Sequence, residues 1–322
     1  MNSACIVACI GAVIASLSAD VAAQAYPGRP LRWVIPFPPG GGADYLARIV
    51  GQKAGEALGQ QIVIDNRGGA AGNIAAEVAA KAAPDGHTLL QANVSHAISA
   101  SLYRKLSYDL ARDFVPVTQL ASIPFVLTVN LAVPAASLGE LIALAKAKPG
   151  ALNYASSGNG GPSHMSMELL KSMAGVDLRH VPYKGGALAT TDLIAGRVQA
   201  LFMTVAVALP HVNGGRVRAL GVTSAQRVQS FPRIPTIAEA GVPGYEMTTW
   251  FGVMAPRGTP PQVVEKLHGV FTQALAAPDV RERVANQGFA IVGSSPREFA
   301  AFVKAEMSKW AEVVKSSGAK VD

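Results

Sequence analysis

Apolar residues along the chain form short β-rich runs that alternate with stretches of helical period. The short runs predict strands at residues 31–37, 61–65, 88–92, 125–130, 152–155, 178–181, 200–205, 218–223 and 249–254. The helical patterns predict helices at residues 44–58, 72–82, 137–148, 162–174, 187–195, 236–240, 260–276, 278–287 and 296–316. Strands and helices that alternate in this way are typical of an α/β protein with largely parallel sheets.

Three glycine-rich segments each follow a predicted strand and open a predicted helix. They are Pro36-Phe37-Pro38-Pro39-Gly40-Gly41-Gly42-Ala43-Asp44, Asn66-Arg67-Gly68-Gly69-Ala70-Ala71-Gly72-Asn73 and residues 154–164. The first amides of a helix lack partners within the helix, and the helix dipole is positive at that end. Each segment is therefore a candidate anion site, and together they predict a ligand cleft between two lobes. Residues 115–130 and 221–235 are the expected crossings between those lobes.

The N-terminal segment has the pattern of a secretory signal peptide. Its apolar run at residues 6–17 is shorter than the roughly 20 residues that span a bilayer, and Ala23-Gln24-Ala25 matches a cleavage site. We therefore expect residues 1–25 to be removed on export; a buried N-terminal helix would fit the same apolar run. Both cysteines lie in this segment, so a chain that begins at Tyr26 has no thiol for a disulfide, a nucleophile or a metal site.

Composition and motifs exclude several classes of protein. Hydrophobic residues make up 50% of the 322 positions and charged residues 15%, as in a well-packed globular chain long enough for two domains. The net charge of +7 comes from scattered Lys and Arg residues, which suits the steering of anions better than nucleic-acid binding. The sequence has no P-loop, dinucleotide fingerprint, G-x-S-x-G elbow or zinc spacing of histidines. We expect no cofactor, no metal and no enzymatic activity.

Taken together, these segments resemble the extracytoplasmic solute receptors of tripartite tricarboxylate transporters, called the Bug or TctC family. The resemblance covers essentially the whole chain after residue 25. It is carried by the three glycine-rich segments, by residues 82–90, by His180-Val181-Pro182-Tyr183-Lys184-Gly185, and by Pro235-Thr236 with Glu239-Ala240-Gly241. So many motifs in one order make the match specific.

The resemblance implies an α/β fold of the two-lobed, periplasmic binding protein-like kind (type II), with a ligand cleft between lobes joined by a hinge. On this basis we expect a first lobe at residues 26–123, a second lobe at 124–230 and a return to the first lobe at 231–322. The implied function is periplasmic capture of a small organic carboxylate, namely a dicarboxylate, an aromatic carboxylate or an amino acid. Cleft closure would then present it to a two-component membrane permease of the tripartite tricarboxylate type.

In this family the ligand is held largely by backbone amides and ordered waters, which implies a set of contact positions here. The predicted ligand-binding residues are Phe37, Pro39, Gly40, Gly41, Ala43, Asp44, Ala70, Gly72, Asn73, Ser156, Gly158, Asn159, Ser163, His164, Tyr183, Lys184, Met203 and Thr204. Asp44 fits a charge in the first turn of its helix as well as it fits ligand contact. Purely structural roles are also open to several of these residues: a tight turn for the glycines, a helix start for Asn73 and Ser163, a packed or capping role for His164, a solvated turn for Tyr183 and Lys184, and the core for Phe37.

The chain departs from the family pattern near the strand at residues 200–205. Acidic residues are usual there, and Gln199 and Met203 stand in their place. With Thr204, Met203 predicts a ligand whose distal part is not cationic and is partly apolar. Ala71 stands where glycine is usual, so its φ must be negative or strained.

Two further functions are compatible with the sequence. One is a receptor that reports its closed state to a membrane sensor, and the second is the effector-binding domain of a regulator. The signal peptide and the lack of a helix-turn-helix count against the regulator.

Overall fold

The computed structural model describes residues 26–317; residues 1–25, with the predicted signal peptide, and residues 318–322 lie outside the described residues. The strands are β1 (Leu31–Ile35), β2 (Ile62–Asn66), β3 (Thr88–Asn93), β4 (Phe114–Asn130), β5 (Asn153–Ser156), β6 (Arg179–Pro182), β7 (Ala200–Thr204), β8 (Val217–Val222), β9 (Thr248–Pro256) and β10 (Ala290–Ile291). The helices are α1 (Gly42–Leu58), α2 (Asn73–Ala80), α3 (Val94–Leu102), α4 (Leu138–Ala147), α5 (Pro162–Ala174), α6 (Gly186–Ile194), α7 (Val205–Asn213), α8 (Pro261–Ala276), α9 (Pro278–Asn286) and α10 (Pro296–Ser317). A 3-10 turn at Ala70–Gly72 precedes α2.

The strands form two sheets that share β4. The first sheet has the order β2-β1-β3-β9-β4, and β10 also pairs with β4. The second sheet has the order β6-β5-β7-β4-β8. In each sheet three neighbouring strands run parallel to one another and the fourth runs antiparallel to them. A fifth strand pairs with the other side of the fourth. This repeated arrangement is the two-lobed α/β fold that the sequence predicted.

Helices cover both faces of the first sheet, and consecutive residues of β1 show this directly. Trp33 and Ile35 belong to the core under α1 and α8, whereas Val34 belongs to the core under α2, α3 and α10. Side chains alternate between the faces of a strand, so a continuous apolar run is what a strand buried on both faces requires. Within residues 26–317, no helix is long and apolar enough to cross a membrane.

One predicted helix is wrong, although each of the nine predicted strands is present; eight shift only slightly at their ends, and the strand predicted at residues 125–130 begins eleven residues earlier, at Phe114. Residues 236–240 form turns instead of a helix. Pro235 and Gly241 leave too short a segment between them, and Thr236 makes a β-bridge to Val222.

The sequence patterns missed β10, α3 and α7. Both helices begin directly at the end of a strand, at Val94 and Val205, so no glycine or proline marks the change of period. Pro210 lies inside α7, which hides its helical pattern further.

The first crossing between the lobes is β4, at the position predicted for residues 115–130. Its residues up to Pro124 pair with β9 in the first sheet, and those from Phe125 onward pair with β7 in the second. A single strand that runs through both sheets forms one side of the hinge.

The return crossing lies later than the predicted segment at residues 221–235. The Ile237 N–H donates to Val222 O at 2.8 Å, and the Tyr245 hydroxyl donates to Ser166 O at 2.9 Å, so the chain is still packed on the second lobe there. It returns to the first sheet with β9. The lobe boundaries themselves stay a prediction, and these contacts favour a later end for the second lobe.

Candidate ligand-binding cleft

The direction of the strands decides where the glycine-rich segments lie. In the first sheet β4 runs parallel to β1 and β3, since β3 and β4 are both antiparallel to β9. β4 then enters the second sheet, where β7 runs against it and β5 and β6 run parallel to β7. The carboxyl ends of β1, β2 and β3 therefore point toward the second lobe, and those of β5, β6 and β7 point back toward the first. The loops after these strands face one cleft, where open α/β sheets bind ligands.

Asp44 fastens the loop after β1. Asp44 is 4% exposed, and its carboxylate accepts hydrogen bonds from the Gly40 N–H at 2.9 Å, from Arg48 Nε at 2.9 Å and from Asn66 Nδ2 at 3.0 Å. Asn66 Nδ2 also donates to Phe37 O at 2.9 Å. Burial alone would raise the pKa of Asp44, but the bonds from Arg48, Gly40 and Asn66 outweigh it and the pKa lies below its usual value. The structure thus places Asp44 beneath the loop, and its contact with a ligand stays a prediction.

The loop after β2 has an unusual backbone. Ala70 and Ala71 have φ values of 47° and 55°, so the substitution of alanine for the usual glycine is strained. The Gly72 N–H donates to Gly69 O at 2.9 Å, whereas the amides of Ala70 and Ala71 have no hydrogen-bond partner among the described residues. A β-carbon on Gly72 would lie 2.9 Å from Pro36 Cβ, so this loop touches the one after β1.

The two loops of the second lobe are joined in a similar way. The Ser157 N–H donates to Ser163 Oγ at 3.0 Å, and the Gly158 N–H donates to Ser156 Oγ at 3.2 Å. Beside them, the Tyr183 N–H donates to Ser156 O at 3.1 Å, which ties the loop after β6 to the loop after β5. The hydroxyls of Ser156 and Ser163 therefore hold the backbone of the loop after β5 in position.

Helices α1, α5, α6 and α7 all begin at the cleft. Asp44 is the acidic residue in the first turn of α1 and is already paired, and the first turns of α5, α6 and α7 carry none. Lys184 is exposed beside the start of α6 and makes no ion pair within residues 26–317. No group of three or more possible metal ligands occurs among the described residues. Amide donors and helix dipoles of one sign favour a small anion.

The predicted site residues divide by exposure. The exposed positions at the cleft are Pro39, Gly40, Gly41, Ala70, Asn159 and Lys184, and the half-buried ones are Phe37, Gly158, Tyr183 and Thr204. The buried positions are Ala43, Asp44, Gly72, Asn73, Ser156, Ser163, His164 and Met203. Met203 is 3% exposed within the core of the second lobe, so its part in ligand selection stays a prediction.

Polar residues at the start of α3 were missed by the sequence analysis. The Asn93 N–H donates to His96 Nδ1 at 3.1 Å, so His96 Nε2 carries the proton that it donates to Gly72 O at 3.2 Å. Burial lowers the pKa of His96 to about 4. Asn93 Nδ2, Ser95 Oγ and Asn73 Nδ2 are buried without a hydrogen-bond partner among the described residues. An Asn two positions before Ser and three before His, directly after a strand, was the available signal for a capped helix at the cleft.

The lobes touch at one edge of the cleft. A β-carbon on Gly288, in the turn before β10, would lie 3.1 Å from Val205 Cγ1 at the start of α7. A β-carbon on Gly42 would lie 3.3 Å from the ring of Phe289, so the same turn also packs against the first loop. This turn therefore lies between the helix starts of the two lobes.

Comparison with known proteins agrees with this arrangement. The sequence profile described as tripartite tricarboxylate transporter family receptor (TctC) matches residues 46–319. Protein BugT of Bordetella pertussis is 38% identical over 325 residues, which cover 100% of both chains. The solved structure of R. palustris Rpa4515 with adipate has 40% identity and a TM-score of 0.83 over 92% of this chain and 100% of that one. MatC (Rpa3494) from Rhodopseudomonas palustris with bound malate has 35% identity and a TM-score of 0.81 over 90% and 100%.

These likenesses confirm the predicted family, the two-lobed fold and the expectation of a receptor in place of an enzyme. The chain belongs to the tripartite tricarboxylate transporter receptor (TctC) family of solute-binding proteins, to which the Bug proteins also belong.

Proposed function

We propose that this protein is a periplasmic receptor that captures a small organic carboxylate between its lobes and delivers it to a two-component membrane permease. The observation that carries the proposal is the convergence of helix N-termini from both lobes on one cleft, together with the amides of Ala70 and Ala71 in the first lobe, which are unpaired among the described residues. The carboxylate at the start of α1 is buried and paired with Arg48, whose positive charge offsets its repulsion of an incoming anion.

A dicarboxylate fits the two-sided cleft best. Amides from the first lobe would hold one carboxylate, and the start of α6 with Lys184 would hold the other. The related R. palustris proteins contain adipate and malate, which are both dicarboxylates. Contacts to both lobes would favour the closed state, because a ligand shifts a conformational equilibrium only by its difference in affinity for the two states.

Calorimetric titration of ligand-stripped protein tests the proposal. The panel should contain adipate, malate, benzoate, glutamate, lysine, phosphate and sulfate. We expect binding of a dicarboxylate and weak or no binding of phosphate, sulfate and lysine. Preferred binding of phosphate or of lysine would contradict the assignment. Binding of benzoate alone would mean that the cleft holds a single carboxylate, and Lys184 would then have no second carboxylate to bind.

A substitution in the first loop tests the site itself. Gly41 has a φ of −84°, and a β-carbon there would meet only Pro38 O at 3.9 Å, so Gly41→Val is compatible with the fold. Its side chain would stand where the ligand approaches, and we expect affinity to fall at least about tenfold, or 1.4 kcal/mol. Gly139→Val is the matched control, because Gly139 lies at the start of α4 and meets only Ser137 Oγ at 3.9 Å. Equal affinity of the two variants would refute the loop assignment.

Export to the periplasm has its own test. Mass spectrometry of protein recovered from the periplasmic fraction should find an N-terminus at Tyr26. A chain that keeps residues 1–25 and stays in the cytoplasm would contradict this part of the proposal.

A further inference from the structure

A group of buried and half-buried titratable side chains supports the cleft loop at residues 157–161. We call it the histidine cluster, and it consists of Tyr154, His164, Glu168, Lys171 and His180. The rings of His164 and His180 stack with centroids 4.0 Å apart at 12°, and Tyr154 stacks on His180 at 4.8 Å. Glu168 accepts the Tyr154 hydroxyl at 2.5 Å and Lys171 Nζ at 2.9 Å, and lies 3.9 Å from His164 Nε2.

Each imidazole of the cluster holds the loop through a hydrogen bond. His164 Nδ1 accepts the Gly160 N–H at 3.1 Å. His180 Nε2 lies 2.7 Å from Ser156 Oγ, which in turn accepts the Gly158 N–H at 3.2 Å. A backbone amide can only donate, so His164 must be unprotonated at Nδ1 for this bond to exist.

Protonation would break this arrangement on two counts. A proton on His164 Nδ1 would face the Gly160 N–H, donor against donor. A second positive charge on His180, whose ring centroid lies 4.0 Å from that of His164, would repel the charge on His164. The charged groups that face the pair are Glu168 and Lys171 from α5, with the neutral Tyr154 from β5. Glu168 already accepts hydrogen bonds from Lys171 and Tyr154, so its negative charge offsets only part of this repulsion.

We propose that His164 and His180 are positioning residues for the ligand: only while both rings are neutral does the loop at residues 157–161 keep its binding conformation, and proton uptake by the pair releases the ligand. This inference rests on the proposed function, since it assigns a regulated release step to the same cleft. His180 and Glu168 were not among the predicted site residues, because they lie in strand and helix interiors outside the glycine-rich motif.

The pH range of the effect follows from the burial of the two rings. Burial lowers the pKa of His164 to about 4, with a further contribution from Lys171. For His180, burial and then its neighbour His164 lower the pKa to about 4. If each ring is half protonated near pH 4 and the two charges repel each other, at most about a quarter of the molecules keep both rings neutral, and the apparent affinity falls at least about fourfold.

Nuclear magnetic resonance of the ligand-free protein tests the loop directly. The amide signal of Gly160 and the ring signals of His164 and His180 should titrate together as the pH falls from 7 to 4, while circular dichroism shows the fold intact. In the double variant His164→Asn/His180→Gln the Gly160 signal should not titrate, because Asn keeps an acceptor near the position of Nδ1, Gln keeps both a donor and an acceptor near the position of Nε2, and neither takes up a proton. A Gly160 signal that moves only with global unfolding, or that titrates equally in the double variant, would overturn the inference.

Titration with adipate adds the binding measurement. Adipate itself gains protons in this range, so variants are compared at the same pH. From pH 7 to pH 4 the wild type should lose at least about fourfold more affinity than the double variant. His164→Ala should weaken binding at pH 7, and His164→Asn should restore part of that loss.

His211→Gln is the control, since His211 contacts Arg216 at the end of α7, and it should follow the wild type. Equal pH dependence of wild type and double variant would refute the release step. Absence of adipate binding at pH 7 would count against the dicarboxylate assignment and leave the Gly160 test decisive.

Discussion

The substitution Asp44→Ala separates two roles that the sequence left equally open, namely contact with the ligand and support of the loop. In the structure the carboxylate is buried and bonded to the Gly40 amide, to Arg48 and to Asn66. Removing it would free the loop after β1 from α1 and leave the bond from Asn66 Nδ2 to Phe37 O as the side-chain link from Asn66 to that loop. We therefore expect a loss of stability together with weaker ligand binding.

The size of the loss follows from those three partners. Hydrogen bonds to a charged group contribute about 1.5–3 kcal/mol each, and the bonds from Gly40 and Asn66 lie in a partly buried place. Arg48 has 54% of its side chain exposed, so its ion pair adds less than about 1 kcal/mol. Water can reach the freed groups at the exposed loop, so the lower end applies, and we expect a loss of about 3 kcal/mol. With an unfolding entropy of about 2.1 cal/mol/K per residue, that corresponds for a chain of this size to a fall in Tm of about 5 °C.

Thermal and urea unfolding measure the stability, and calorimetry with adipate measures the binding. Asp279→Ala is the matched control, because Asp279 is 60% exposed in the first turn of α9 and lies 4.0 Å from Lys53; its Tm should stay within about 1 °C. If Asp44→Ala kept the Tm of the wild type and yet abolished binding, the carboxylate would be a ligand contact and the supporting role would be wrong.

Three further predictions concern stability. Ala71→Gly should raise the free energy of unfolding by about 1 kcal/mol in urea titrations, because alanine is strained at its φ of 55°; no gain would mean that the loop relaxes in solution. Gly252→Ala should lower stability by more than about 3 kcal/mol, since a β-carbon would lie 2.1 Å from Phe299 Cζ in the core, and Phe299→Leu in the same chain should recover part of the loss. His96 has a folded-state pKa of about 4, below its usual 6.5, so the folded state binds fewer protons than the unfolded state and stability falls as the pH drops from 6.5 to 4, by roughly 3 kcal/mol. The same urea titrations on His96→Gln should show a smaller fall with pH, and an unchanged fall would assign it to other groups.

Local patterns in the sequence determined a large part of this protein. Alternation of β-rich and helical runs predicted the α/β class, and the glycine-rich segments after β1, β2 and β5 predicted the helix starts that form the cleft. Hydrophobic period and turn chemistry depend on residues that are neighbours in the chain, so they can be recognised without a structure. The same reasoning failed at α3 and α7, where a strand passes into a helix without a breaker residue.

Only the tertiary structure decided which residues support the cleft and which face it. Asp44 and Met203 are buried, and His180, which was not among the predicted ligand-binding residues, lies beneath the second-lobe loop. Their positions depend on strand pairings between distant parts of the chain, above all the pairing of β4 with β9 in one sheet and with β7 in the other. Burial and hydrogen-bond partners are properties of those long-range contacts, whereas periodicity and turn type are properties of the local sequence. The sequence therefore predicted where an anion binds, and the fold determined which side chains hold that place in shape.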